Sequence, residues 1–151
     1  MSAAVVPHLT FTGRARAALE YYATAFGGQA IVRSYGDFGM PADLPDAERV
    51  VFGQVVSPSG VTVMAYDVPS SDADLQAGST RRENGTTITD RPFFLALQAT
   101  TLEEATTHWA ALVDGSSVLE PLAASDWSPG FGMLTDRFGV VWAISVVPQQ
   151  S

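Results

Sequence analysis

Residues 126–144 read DWSPGFGMLTDRFGVVWAI, and this stretch governs the interpretation of the whole chain. Two short apolar segments, 131–135 and 140–147, flank a polar turn that contains Asp136 and Gly139. Aspartate and glycine between two apolar segments are typical of a β-hairpin. We therefore predict two paired strands at the end of the chain, with Trp127 and Trp142 facing the space that the strands enclose.

The elements before this hairpin are predicted to be a strand, a helix and a further strand. Residues 92–99 are mostly apolar, and residues 117–122 form the second strand. Thr101 and Glu104 form a capping box, in which each side chain satisfies a free amide at the helix start. The apolar face of this helix comprises Leu102, Ala105, Trp109 and Leu112.

The first half of the chain repeats this order. Strands are predicted at 5–12 and 29–35, with a helix over 14–26 between them. Two more strands, 49–57 and 60–67, flank a short turn with glycine. The helix has one apolar face, comprising Ala15, Ala18, Leu19, Tyr22 and Phe26.

The two halves predict an α+β fold made of two β-α-β-β-β modules. The modules occupy residues 5–67 and 92–147 of a single domain, 1–151. Residues 68–91 are polar and lack periodicity, so we interpret them as a linker loop. A repeated order of elements with little identity between the halves is the main organisational prediction.

Composition excludes several classes of function. The chain has 151 residues, no cysteine and a net charge of −8. Its eight basic residues are all arginine, and the doublet Arg81-Arg82 is interpreted as part of an exposed loop. Because phosphate contacts need clustered positive charge, nucleic-acid binding is not expected. The absence of a signal peptide and of a long apolar stretch predicts a cytoplasmic protein without membrane association.

Three segments together resemble the vicinal oxygen chelate superfamily of glyoxalases, bleomycin-resistance proteins and extradiol dioxygenases, and its PhnB-like branch in particular. The first is PHLTF (7–11) with ALEYYATAFGG (18–28). The second is VTVMAYDVP (61–69), and the third runs from Trp127 to Ile144. The resemblance covers nearly the whole chain, with the segments in the order that the family has.

This resemblance implies that each module is a cupped mixed sheet, that the protein is a homodimer, and that a divalent metal sits on four strand positions. Those positions match His8, Val63, Phe94 and Ala143. Their sequence neighbours are Thr62, Met64, Phe93, Leu95, Trp142 and Ile144. None of these residues except His8 has an imidazole or a carboxylate, and Phe52 and Gln54 replace a His and a Glu that relatives often carry. We therefore expect no metal cofactor.

The remaining candidates form an aromatic ligand site. His108 is expected to face solvent, whereas His8 is expected to be a hydrogen-bonded core or pocket-wall residue and is the single candidate for acid–base catalysis. Glu120 and Asp126 border the pocket in the family. The predicted ligand-binding residues are His8, Phe52, Gln54, Tyr66, Phe94, Trp127, Phe131 and Trp142.

Three functions stay open at this point. The first is metal-free binding of a small hydrophobic or aromatic molecule, since apolar walls with few polar groups are typical of such sites. The second is a metal-dependent glyoxalase- or dioxygenase-type enzyme. The third is a non-catalytic dimeric interaction module. A methyltransferase is rejected, because no glycine-rich cofactor loop follows a strand.

Overall fold

The computed structural model describes residues 3–69 and 78–147 of the chain. The chain divides into two compact units, residues 1–76 and 77–151, which we call unit 1 and unit 2. None of the helices in the described residues is long and apolar enough to cross a membrane.

Unit 1 contains one helix and a four-stranded mixed sheet. Its elements are β1 (His8–Phe11), α1 (Ala15–Phe26), β2 (Gln29–Ser34), a 3-10 turn (Gly36–Phe38), β3 (Val50–Val56) and β4 (Thr62–Asp67). The strand order is β1-β4-β3-β2. Strand β1 runs parallel to β4, and the other pairs are antiparallel.

Unit 2 repeats this arrangement after an additional hairpin. Its elements are β5 (Thr80–Glu83), β6 (Thr86–Thr89), β7 (Leu95–Ala99), α2 (Leu102–Val113), β8 (Ser117–Ala123), β9 (Phe131–Thr135) and β10 (Val141–Val146). The sheet has the order β7-β10-β9-β8, which matches unit 1 strand for strand. The predicted fold class, α+β with two β-α-β-β-β modules, is confirmed.

Helix α1 forms where the apolar period predicts it. Its buried residues are the five of the predicted face: Ala15, Ala18, Leu19, Tyr22 and Phe26. Gly27 ends the helix at φ 67°, a left-handed conformation that glycine adopts without a Cβ clash. A Cβ on Gly53 of β3 would lie 2.2 Å from Leu19 Cδ1, so this face of the sheet packs directly against the helix.

Helix α2 begins as predicted and buries Ala105 and Leu112 of the predicted face, but its buried face also includes His108 and leaves Leu102 exposed. The hydroxyl of Thr101 accepts a hydrogen bond from the Glu104 amide at 3.1 Å. The buried residues are Ala105, His108 and Leu112, and Leu102 is 49% exposed. The expectation that His108 faces solvent is therefore wrong. Spacings of three and four residues bring His108 onto the stripe of Ala105 and Leu112.

Buried aspartates fix the last strand in each unit. In unit 1, Asp67 Oδ1 accepts hydrogen bonds from the Gly13 and Ala15 amides, and Oδ2 accepts one from Val50. These bonds join the start of α1 to two strands that are distant in sequence. In unit 2, Asp136 binds the amides of its own turn and the indole of Trp142.

The segment predicted as a linker contains secondary structure in its described part. Strands β5 and β6 pair as a hairpin around Asn84 and Gly85, both of which have positive φ. Asn-Gly at a two-residue turn is a strong hairpin signal, since both residues tolerate this conformation. Part of the segment, residues 70–77, lies outside the described residues.

Candidate functional site

Each sheet has one face against its helix and an opposite face, which we call the open face. In unit 1 the side chains of β1 and β4 alternate between the two faces of the sheet, and those of β3 do so from Phe52 onward. The open face carries His8, Thr10, Gln54, Met64 and Tyr66, together with Phe52. All of them are half-buried or exposed, whereas their neighbours Leu9, Val55 and Val63 are buried.

His8 lies at the start of β1 and contacts the ring of Tyr66. The two ring centroids are 5.2 Å apart at an interplanar angle of 62°, an edge-to-face arrangement that aromatic quadrupoles favour. The imidazole is exposed on the sheet surface. Its surroundings are therefore aromatic and open, and its strand partner is Met64, which carries no carboxylate.

Two further side chains continue the row across the sheet. Met64 is paired directly with His8, and Gln54 is paired with Met64. Ile31 of β2 is paired with Gln54 at the edge of the sheet. The row thus presents an imidazole, a thioether, an amide and an aliphatic chain in adjacent positions. Such a surface suits an apolar ligand with one or two hydrogen-bonding groups.

This register shifts the predicted metal positions by one residue on β4. Val63 points toward α1, so Met64 is the residue that shares a face with His8. In unit 2, Ala96 of β7 is paired with Ala143 of β10, and Phe94 lies ahead of the strand. The four equivalent positions are therefore His8, Met64, Ala96 and Ala143.

These four side chains do not fit a divalent metal. One imidazole and one thioether, with two methyl groups, give too few hard donors for an ion that usually needs three or more protein ligands. Within the described residues, no group of three or more His, Asp or Glu side chains could hold a metal.

The aromatic candidates of unit 2 separate into two environments. Phe131 at the start of β9 is half-buried, and its ring lies 4.9 Å from that of Trp127, which is 62% exposed. Phe94 is 37% exposed ahead of β7. Phe131 and Trp127 thus form one aromatic contact.

Trp142 lies on the other face of the sheet, contrary to the expectation that it lines the ligand site. It is 3% exposed and pairs with Leu134 and Leu95. The next position along that face, Ile144, is paired with Gly132, where a Cβ would meet Trp109 of α2. Trp142 therefore belongs to the core, and its indole donates to Asp136 Oδ2 at 2.9 Å.

The β5–β6 hairpin packs over the open face of unit 2. The Thr87 hydroxyl lies 3.2 Å from the sulfur of Met133, which is fully buried on that face. Arg82 is paired with Thr87 and points the same way, and its side chain is 12% exposed. The prediction that Arg81 and Arg82 both lie in an exposed loop is wrong for Arg82. Because side chains alternate along β5, Arg81 is the exposed member of the two arginines.

The two acidic candidates also differ in position. Glu120 lies on β8 opposite Met133, with Oε2 3.9 Å from Arg82 Nε. Asp126 is exposed in the segment before β9. Sequence reasoning missed Arg82 as a site residue, and the signal that could have found it is the Asn84-Gly85 turn.

Comparison with known proteins identifies the family. The model of the Glyoxalase/Bleomycin resistance protein/Dioxygenase superfamily matches residues 5–144. Protein YjdN of Escherichia coli (strain K12) is 28% identical over an alignment 151 positions long that covers 95% of each chain.

Solved structures agree with this assignment. Protein PA1353 from Pseudomonas aeruginosa is 28% identical, with a TM-score of 0.73 over 98% of this chain and 100% of that one. A PhnB protein from Bacillus cereus, 19% identical, shares the fold with a TM-score of 0.69 over 96% of this chain and 100% of its own. The chain therefore belongs to the glyoxalase/bleomycin resistance protein/dioxygenase superfamily, with PhnB-like proteins among its structural neighbours.

Proposed function

We propose that this protein binds a small hydrophobic or aromatic molecule on the open faces of its sheets, without a metal ion. The observation that carries the proposal is the row His8–Met64–Gln54 with Tyr66 beside it. These side chains offer a polarisable apolar surface and two hydrogen-bonding groups. They lack the ligands that would hold a metal ion for a chelating substrate.

The test is calorimetric titration of the purified protein with 2-naphthamide, a neutral planar aromatic probe. We expect saturable binding that Tyr66→Ala weakens by several-fold, because the aromatic partner of His8 is lost from the open face. Glu20→Gln, on the exposed side of α1, serves as the control and should leave the affinity unchanged. Absence of saturable binding to the wild-type protein would contradict the proposal.

Elemental analysis of protein purified without chelators separates this function from a metal-dependent enzyme. We expect well under one divalent ion per chain. About one tightly bound ion per site, together with glyoxalase- or dioxygenase-type turnover, would support the enzymatic alternative instead.

We also propose that the protein is a homodimer, as its family resemblance implies. Sedimentation equilibrium should give about twice the mass of the 16.0 kDa chain. A monomer across the micromolar concentration range would overturn this proposal and leave the ligand proposal to its own test.

A further inference from the structure

Arg82 is a buried cation that the proposed apolar ligand surface does not require. Its side chain is 12% exposed, although arginine is rarely buried unless its charge and its donors are matched. Within the described residues, Nη1 donates to Thr87 Oγ1 at 2.9 Å. The buried Nε has no hydrogen-bond partner there.

Glu120 does not satisfy this donor. Its Oε2 lies 3.9 Å from Nε, which is beyond hydrogen-bonding distance, and its side chain is 43% exposed. A buried donor without an acceptor lowers stability, so the arrangement favours an added acceptor. Nε and one terminal nitrogen of a guanidinium form a fork that matches the two oxygens of a carboxylate.

An aromatic surface lies beside this fork. The guanidinium carbon of Arg82 lies 4.9 Å from the centroid of the Phe131 ring, within cation–π distance. The same ring contacts Trp127 at 4.9 Å, and Trp127 is 62% exposed. Because both distances refer to one ring, a single small molecule can span the cation and the exposed indole.

We propose that Arg82 forms an anion site in unit 2, which binds the carboxylate of a planar aromatic acid while the ring of the ligand packs on Trp127 and Phe131. The inference rests on the proposed function, which includes the open face of unit 2, and it specifies an acid as the ligand of that face. Glu120 competes with the ligand for Arg82, because its carboxylate oxygen lies 3.9 Å from Arg82 Nε.

The test compares 2-naphthoate with 2-naphthamide by calorimetric titration, since the two probes share a ring and differ in charge. The wild-type protein should bind the acid about tenfold or more tightly than the amide, as expected for a charge-assisted hydrogen bond. Arg82→Gln should remove this preference and leave amide binding within about twofold. Equal loss of both probes in Arg82→Gln, or loss of neither, would overturn the proposal.

Two further variants keep the test decisive. Arg81→Gln is the matched control, because Arg81 precedes Arg82, is 54% exposed and forms an ion pair with Glu83. It should leave both affinities unchanged. Glu120→Gln removes the competitor at a partly exposed position and should tighten binding of the acid several-fold. If the Arg82 variant does not fold, an unchanged acid-to-amide ratio in Glu120→Gln overturns the inference.

The two proposals fail in different ways. If the amide binds and the acid has no advantage, the anion site is wrong and the apolar ligand surface stands. If neither probe binds, both proposals are wrong.

Discussion

Units 1 and 2 share a strand order, yet their open faces are built differently. In unit 1 the face carries His8, which is exposed, and Gln54, Met64 and Tyr66, which are half-buried. In unit 2 the equivalent centre is Met133, which is fully buried beneath the β5–β6 hairpin. The repeated scaffold therefore fixes the topology, and the chemistry depends on what each open face presents.

The helix faces of the two units are more alike. Gly53 precedes Gln54 on β3 of unit 1, and Gly132 holds the corresponding place before Met133 on β9. Both glycines lie where a helix packs closely on the sheet. The aspartates differ, because Asp67 joins segments about 50 residues apart and Asp136 closes a local turn.

The largest expected effect separates these two aspartates. Asp67→Ala leaves three backbone amides without their acceptor and should lower the free energy of unfolding by about 3–5 kcal/mol. Asp136→Ala should cost less, about 2–3 kcal/mol, since water can reach the half-buried amides of its turn and only the Trp142 indole is left buried without its acceptor. Urea denaturation measures both values. An equal or larger loss for Asp136→Ala would contradict the distinction between the units.

Substitution of the paired glycines tests whether the helix faces are equivalent. A Cβ on Gly132 would lie 2.7 Å from Trp109 and 2.8 Å from the Leu122 backbone. Gly132→Ala should therefore destabilise the fold by about 2–3 kcal/mol, because backbone atoms cannot move aside. Gly53→Ala should cost a similar amount, about 2–3 kcal/mol, since a Cβ there would lie 2.2 Å from Leu19 Cδ1 and 2.9 Å from the Ala65 carbonyl oxygen. Thermal unfolding that shows no loss for either variant would refute the close packing.

A metal-binding variant tests the open face of unit 1. Met64→His places a second imidazole directly opposite His8 and should raise zinc affinity about tenfold or more over wild type. Val63→His is the matched control, because that side chain points toward α1 and cannot reach the same ion. Equal zinc affinities for both variants would show that the register on β4 is wrong.

The smallest expected effect concerns Tyr35 at the edge of unit 1. Its hydroxyl donates to the Asp67 carbonyl at 2.7 Å, and burial, with nearby Tyr66 and Asp67, raises the pKa of Tyr35. The phenol therefore contributes stability below its unfolded pKa of about 10, and this contribution is lost as the pH rises through the higher folded value. Tyr35→Phe should cost about 1 kcal/mol at pH 7.

The gap between Tyr35→Phe and wild type should then narrow above about pH 10, where the unfolded phenol ionises first. Urea titrations at a series of pH values provide the measurement. A gap that widens with alkaline pH would refute the assigned direction.

Sequence reasoning predicted the elements better than the faces of the strands. Alternation and glycine turns located all eight strands of the two sheets, and the apolar period of α1 identified its buried side. The faces were harder, because a one-residue slip on β4 exchanges Val63 with Met64 and turns the side chain to the other side. Trp142 was misplaced because its neighbour Ala143, and not Trp142 itself, faces the open side of the sheet. Arg82 was missed because a polar hairpin lacks an apolar period.

The central claim is that a ligand binds this fold without metal, and one titration tests it directly. Protein dialysed against a chelator is titrated with 2-naphthamide, and the titration is repeated after zinc or nickel is added back. Binding of equal affinity in both samples is the predicted result. Binding that disappears on chelation and returns with the metal would contradict the account.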